Sequence, residues 1–279
     1  MNNIGCYIHA GLGNQLFQIF ACISYYLDNN CQNYILCCNK YNANGYRKYY
    51  WDTLFSNISH NCMVLNELTN YEKYKEPFYL YKQIPIFNND TLLEGYFQCS
   101  KYFEHNIDKI RRIIGIDEKI NNVLIKYPEY TINKTITIHY RMGDAPERLI
   151  KKPSYYIDAF NTLIRKGVDI YDYDILYFCE EENNERVNNF NLEINNVLKK
   201  STGKDLKYKK VSDAIQDWEQ LLIMTSSKHY IIGNSTFSWF GAYLSSSSEP
   251  IICYPISWYL DDLDTSNLFP DSWIAIDDK

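Results

Sequence analysis

Apolar positions change their spacing almost at the start of the chain, and that change marks the first elements. Residues 4–9 are β-prone, 10–13 supply a tight turn around Gly11 and Gly13, and residues 14–26 repeat apolar side chains at helical spacing (Leu16, Phe17, Phe20, Ala21, Ile23). The pattern predicts strand, glycine turn, helix. Residues 31–96 are aromatic and irregular, with neither period sustained, and no element is predicted there. Helical spacing returns over 102–114 and 117–125.

Beyond residue 131 the alternation sharpens. TITIHY (135–140) predicts a strand running into the turn RMGD, and Pro153 with Ser154 then opens a helix, Pro at an early position and Ser as its cap. DILYFC (174–179), HYIIGN (229–234) and PIICYP (250–255) predict further strands, with a helix over 237–244. Strands separated by helices imply parallel β-α-β units, so this half reads as an α/β, Rossmann-like sheet. The change of pattern near residue 128 places a domain boundary there, giving domains 1–128 and 129–279. No repeat or low-complexity linker marks it, and the serine run 245–248 reads as a loop.

Composition narrows the partners. The chain has 279 residues, 46% apolar content and a formal net charge of −6, so no broad basic face is expected for a nucleic-acid backbone or an anionic membrane. A phosphate-bearing ligand has to be held by a few placed cations, backbone amides and helix ends. Nine cysteines, an odd number with no C-x-x-C pair, read as reduced and partly buried thiols. No basic leader precedes an apolar stretch, and no run of roughly eighteen apolar residues occurs. The expected location is cytosolic, or at most peripheral to a membrane.

Three constellations carry candidate chemistry. GLGNQLFQ (11–18) puts Gly11, Gly13 and Asn14 between a strand and a helix, where amides can approach an anion and Asn14 and Gln15 add polar contacts; a plain turn and cap is the alternative. HYRMGD (139–144) follows a strand directly, so Arg141 can fork onto a diphosphate, with His139 as a donor and Asp144 as a brace or acceptor; an ordinary strand-end ion pair is the alternative. GNSTFSWFGAYL (233–244) sets Asn234, Ser235 and Thr236 where a strand gives way to a helix, and one ring among Phe237, Trp239 and Phe240 can stack on a purine while the others are core. Metal chemistry has little support: the five histidines are scattered, H-E-x-x-H is absent, and Asp172 and Asp174 precede their strand. Neither a G-x-S-x-G elbow nor a G-K-[ST] loop occurs.

In this order the motifs resemble the α-1,2-fucosyltransferase family, glycosyltransferase family 11, relatives of the inverting α-1,6- and protein O-fucosyltransferases. GLGNQLFQ, GYFQCSKYF (95–103), HYRMGD and HYIIGNSTFSWFGAYL (229–244) stand where that family has its blocks, and PISWY (255–259) and PDSW (270–273) match its later signposts. The resemblance spans nearly the whole chain. It implies a GT-B architecture of two facing Rossmann-like domains, the first on the acceptor side and the second binding a nucleotide sugar, and an inverting displacement with no metal and no cofactor. On it, Arg141, Asp144 and Asn14 carry catalysis, while Gly11, Gly13, Asn14, His139, Arg141, Asp217, Asn234, Ser235, Thr236 and Phe237 hold GDP-fucose or a similar donor. The implied acceptor is a galactose-containing glycan, fucosylated at O2.

Three positions depart from the family pattern. Its second loop arginine is Met142, an acidic position is Gln220, leaving Asp217 or Glu219 for a guanine edge, and an acidic pair reads Cys179, Glu180, Glu181. As general base, Asp144, His9, Glu94 and His139 all qualify by chemistry. Rival expectations are the same fold with another nucleotide deoxysugar, a glycan- or nucleotide-binding protein without turnover, and a metal-dependent transferase using Asp172 and Asp174.

Overall fold

The computed structural model describes residues 2–38, 48–64, 70–77, 80–131, 133–143, 145–260 and 263–278. The chain divides into an N-terminal unit, 1–119 with 263–270, and a C-terminal unit, 120–262 with 271–279. The main division falls earlier than the pattern change near residue 128, inside a helix, and the excursion of 263–270 into the first unit has no signature in the sequence pattern.

The N-terminal unit is built on β1 (Ile4–Tyr7), α1 (Leu12–Asp28), β2 (Tyr34–Cys38), β3 (Cys62–Val64), β4 (Glu72–Lys75) and β5 (Thr91–Glu94), followed by α2 (Ile107–Ile114) and the start of α3 (Ile116–Lys126). Its sheet runs β3-β2-β1-β5-β4, and each pairing is parallel. The four strands among the described residues of 31–96 were illegible because they are three to five residues long, and β4 (EKYK) is largely exposed. Such short runs alternate too briefly to show a period. α1 packs on β1 and is buried nearly all round, including Gln15 and Gln18 at 0% exposure. It begins at Leu12 rather than Asn14: Gly11 is the N-cap (φ −73°, ψ 167°), Gly13 lies inside the helix, and the left-handed turn residue is Ala10 (φ 66°). The helix expected over 102–114 is interrupted as well. Short 3-10 turns at Ser100–Tyr102 and Glu104–Asn106 precede α2, which Gly115 closes in the left-handed conformation (φ 73°) with its N–H on the Arg111 carbonyl at 2.9 Å.

The C-terminal unit continues with β6 (Thr135–His139), α4 (Pro153–Arg165), β7 (Asp174–Phe178), α5 (Asn184–Thr202), β8 (Lys207–Lys210), α6 (Asp217–Met224), β9 (His229–Ile231), α7 (Thr236–Tyr243), β10 (Ile252–Pro255) and β11 (Ile274–Ile276). The sheet order is β11-β10-β9-β6-β7-β8, again parallel at each pairing. β6 is buried at every position, as a central parallel strand covered on both faces must be. Ile136, Ile138, Phe160, Leu163, Ile175, Val187 and Ile194 form part of one core that joins this sheet to α4 and α5. Pro153 does sit in the first turn of α4, but the cap is Lys152 without a side-chain bond, so Ser154 caps nothing. α5 was not foreseen because its buried stripe (Val187, Asn191, Ile194, Leu198) includes an asparagine, whose Oδ1 accepts the buried Tyr140 hydroxyl at 2.6 Å.

Two close contacts fix the framework around β9 and β10. Gly241 lets α7 lie against α6, since a Cβ there would fall on the Met224 side chain. Lys151, between β6 and α4, donates to Asp278 Oδ2 (2.5 Å) and the Ser257 carbonyl (2.6 Å), while the Ser257 amide donates to Asp278 Oδ1 (2.9 Å). The two charged side chains are only 3% and 2% exposed. Among the described residues no helix is long and apolar enough to cross a membrane, and the cysteines are free thiols, buried except for the half-buried Cys62.

Removing one member of a buried, hydrogen-bonded ion pair strands the other charge away from water, at a cost of about 3–5 kcal/mol. Lys151→Met is therefore expected to lower the unfolding free energy by that amount, read as a lower urea midpoint at unchanged m-value, and Lys151→Met with Asp278→Leu to recover most of it; equal losses in single and double variants would contradict the pairing.

Candidate functional site at the β6–β9 crevice

In the C-terminal unit the chain leaves β6 toward β7 and β8 on one side and later toward β9, β10 and β11 on the other. Neighbouring strands whose connections depart in opposite directions leave a crevice at their carboxyl ends, which is where open α/β sheets bind ligands. That crevice lies between β6 and β9. It is entered by His139 and Arg141 from one side and by Gly233, Asn234, Ser235 and Thr236 from the other.

Gly233 permits the approach, because a Cβ there would stand 2.9 Å from the His139 carbonyl oxygen and 3.2 Å from Arg141 Cβ. Ser235 caps α7, its Oγ accepting from the Phe237 amide at 3.3 Å, so hydroxyls and the first-turn amides meet at the positive end of the helix. His139 is 6% exposed, its Nδ1 has no partner, and its ring lies 5.6 Å from that of Phe237. Burial, with the neighbouring Arg141 charge, lowers its pKa to about 3, so the imidazole is neutral at pH 7. Asn234 Oδ1 is also buried without a partner, while its Nδ2 makes a long 3.5 Å contact with the Trp258 carbonyl. Unpaired buried polar atoms are costly in a folded protein. Two of them border this one crevice.

Arg141 is one-quarter exposed, and its Nη1 is 3.9 Å from Glu180 Oε1 at the end of β7, an ion-pair distance and not a hydrogen bond. Gly143 makes room for that carboxylate, since a Cβ there would be 3.1 Å from Glu180 Cδ. Glu180 Oε2 is buried and has no partner. Glu180 thus joins the crevice, which the sequence had shown only as a departure from the family pattern. Met142 is 2% exposed within the core, so the position of the family's second loop arginine points inward and supplies no cation. Asp144 lies outside the described residues.

Other expectations resolve differently. Of the three aromatic candidates only Phe237 is partly exposed; Trp239 and Phe240 are at 0%, and Trp239 packs 5.3 Å from Trp273 of PDSW. Asp217 opens α6 and accepts the Trp218 amide at 2.9 Å. Glu219 is occupied by Lys126 (2.7 Å) and the Tyr127 hydroxyl (3.2 Å), while Gln220 Nε2 donates to the Ile215 carbonyl. Asp172 and Asp174 lie at the amino end of β7, opposite Glu180 along the strand, and Asp174 accepts from Asn133 at 2.7 Å. Among the described residues no group of three His, Cys, Asp or Glu could hold a metal.

The N-terminal unit has a matching crevice between β1 and β5. GLGNQLFQ follows β1 and GYFQCSKYF begins on Gly95, directly after β5; Gln18 Nε2 donates to the Gly95 carbonyl (3.1 Å) and Gln98 Nε2 to Asn14 Oδ1 (2.8 Å). Gln15 Nε2 donates to the Ala10 and Lys48 carbonyls, both at 2.9 Å, and so braces the turn, while its buried Oε1 has no partner. Gly11 carries no cap side chain, and among the described residues a Cβ on it would meet nothing within 4 Å. Among the base candidates, His139 is too buried and too weak a base, and Glu94 is engaged by Lys73 at 2.7 Å. His9 is half-exposed, and burial lowers its pKa.

Residues 181–277 match the model of Glycosyl transferase family 11. The resemblance drawn from the motifs is matched over that stretch, which holds the last of the four blocks and both later signposts. An Alpha-1,2-colitosyltransferase from Escherichia coli is 24% identical over 199 residues, covering 66% of this chain and 61% of that protein. The O-antigen biosynthesis glycosyltransferase WbnK from Escherichia coli is 25% identical over 195 residues, 67% of this chain and 61% of that protein. The matched stretch thus spans less than two thirds of either relative. Among solved structures, the ADP-heptose LPS heptosyltransferase II of E. coli superposes with a TM-score of 0.51 over 99% of this chain and 90% of that one, at 10% identity. The fold class is GT-B, with two parallel α/β units as the motifs implied. The family 11 match covers β9, α7 and both later signposts, and so includes one wall of the crevice described above.

His139 gives the site a pH signature. Its folded pKa is depressed from 6.5 to about 3, so the unfolded chain binds more protons between those values and stability falls as pH drops through that window. The slope attributable to it is at most about 1.4 kcal/mol per pH unit. Urea midpoints of the native protein and His139→Asn, compared between pH 6.5 and 4, are expected to converge as pH falls; parallel curves would show that the buried ring is not neutral.

Proposed function

We propose that this chain is an inverting glycosyltransferase that moves L-fucose from GDP-fucose to a hydroxyl of an acceptor glycan, O2 of a galactose, without a metal ion. The observation that carries the reading is the convergence at the β6–β9 crevice of Arg141, the hydroxyl-rich start of α7 and the partnerless atoms His139 Nδ1 and Asn234 Oδ1. Diphosphate chemistry suits each of them. Arg141 clamps the diphosphate, the α7 amides with Ser235 and Thr236 take its oxygens, and neutral His139 donates from its ring N–H without adding charge. Glu180 Oε2 accepts from a ribose hydroxyl, the usual use of an acidic side chain at the end of the second strand in a Rossmann-type sheet. Phe237 lies beside His139 as the ring available to the base.

In the displacement the acceptor oxygen bonds to C1 of the sugar from the side opposite the diphosphate, the bond from C1 to the phosphate oxygen breaks with its electron pair on GDP, and the acceptor proton passes to a base. Negative charge grows on the leaving diphosphate. Arg141 and the α7 terminus are already aligned on it, which lowers the barrier without reorganisation at the moment of reaction.

A second reading keeps the chemistry and changes the donor to another nucleotide deoxysugar. The colitosyltransferase relative favours it, as does the core-facing Met142, which leaves one cation fewer for the donor. A protein that binds without turnover is the third.

Calorimetric titration with GDP, UDP and GDP-fucose is expected to show GDP and GDP-fucose binding more tightly than UDP, unaffected by EDTA. Arg141→Ala is expected to lower turnover by about 10²–10³-fold, as for loss of a charge-stabilising group in a transition state. Tighter UDP binding rejects the donor assignment. Product formed from another deoxysugar donor alone selects the second reading, and binding with no product in an acceptor screen read by mass spectrometry selects the third.

A further inference from the structure

Two cysteines of the N-terminal unit differ from the rest in both geometry and chemistry. Cys38 ends β2 and Cys62 opens β3, and the register Leu36↔Cys62 sets them on a diagonal of that parallel pair, on one face of the sheet. Their sulfurs are 3.4 Å apart although 24 positions of chain separate them, a proximity that no spacing in the sequence announces. Cys37 alternates to the opposite face and is at 0% exposure, whereas Cys38 is 8% exposed and Cys62 half-buried. β3 is three residues long and forms an edge of its sheet.

Burial pushes up the thiols of Cys6, Cys31, Cys37, Cys99, Cys179 and Cys253. Cys38 goes the other way. A hydrogen bond from Cys62 holds it below the ordinary thiol range against the effect of burial, and the Trp51 indole, whose buried Nε1 has no partner, favours the thiolate further. Cys62, as the donor, is held above that range. A thiolate beside a protonated thiol is the arrangement in which one sulfur attacks an oxidant and the other resolves the product. Cys6 and Cys22 also lie together, but both are at 0% exposure, away from any oxidant in water.

We infer that Cys38 and Cys62 form a reactive dithiol that hydrogen peroxide oxidises to a disulfide joining β2 to β3. The Cys38 thiolate attacks one peroxide oxygen, the O–O bond breaks, and Cys38 becomes a sulfenic acid while the departing hydroxide takes a proton and leaves as water. The Cys62 sulfur then attacks the Cys38 sulfur, the S–O bond breaks, and a second water leaves with the Cys62 proton. Two thiols are oxidised and one peroxide is reduced to two waters. The sulfurs have about 1.4 Å to close, from 3.4 Å to the ~2.0 Å of a disulfide. Diagonal neighbours are farther apart than directly opposed ones, so closure needs a shift of β3 as well as rotation of the side chains. A three-residue strand paired on one side only can supply it. The inference does not depend on the transferase reading.

The test treats the reduced full chain with hydrogen peroxide at pH 7, blocks the remaining thiols with N-ethylmaleimide, and maps the unreduced digest by mass spectrometry. A peptide joining Cys38 to Cys62 is expected, lost on treatment with dithiothreitol, with the other cysteines carrying maleimide. Cys37→Ser is expected to keep the joined peptide, which separates Cys38 from its neighbour in the same fragment. Cys62→Ser is expected to lose it and to leave Cys38 as a sulfenic acid that dimedone traps. Dimedone confined to Cys38, in a variant that still melts cooperatively, shows that the loss is not general unfolding. Maleimide on both Cys38 and Cys62 after peroxide, a link through Cys37 or Cys22, or a joined peptide that forms only in urea overturns the proposal.

Discussion

Two parallel strands that run side by side and send their connections to opposite sides of a sheet must separate at their carboxyl ends, and the C-terminal unit is organised around what fills that gap. The constraint is tightest at Gly233, where any side chain would meet the His139 carbonyl and Arg141 Cβ. Because the two strand ends come that close, residues 139–141 on one and the start of α7 on the other border the same gap. Much of the surrounding structure keeps them there: the Tyr155 hydroxyl donates to the Ile232 carbonyl just before Gly233 (2.6 Å), Gly241 seats α7 on α6, and the buried Lys151–Asp278 clip ties the β6 side of the sheet to the ends of β10 and β11.

The central strands of the C-terminal sheet were legible because β6, β7, β9 and β10 are apolar and bounded by turn chemistry, and the switch point follows from their order. β8 and β11 were not, being a polar edge strand and a three-residue one. The same physics hid the N-terminal sheet, whose strands are too short to display a period. α5 was hidden by Asn191, a polar residue on a buried stripe that is satisfied only by a tyrosine from another element. A buried hydrogen bond of that kind leaves no trace in periodicity.

The candidate site divides in the same way. His139, Arg141 and the 233–237 segment were found because strand ends and helix starts can be read locally. Glu180 was missed as a crevice group because its place there depends on Gly143, 37 residues earlier in another loop, leaving space for its carboxylate. Gln15 illustrates the converse: it reads as a polar contact in the motif, while its Nε2 holds the Ala10 and Lys48 carbonyls, and its neighbour Gln18 ties His9 to Gly95. Part of the GLGNQLFQ block is therefore architecture for Gly11 and Asn14, and part of the C-terminal block is architecture for the crevice, with Trp239 stacked under it on Tyr243 at 4.6 Å.

A crystal structure of the full chain grown with GDP tests the central claim most directly. The account predicts the diphosphate in the β6–β9 crevice, its oxygens about 3 Å from the Arg141 guanidinium and from the amides or hydroxyls of Ser235 and Thr236. Nucleotide density at another place on the C-terminal unit, away from Arg141 and the start of α7, would contradict it.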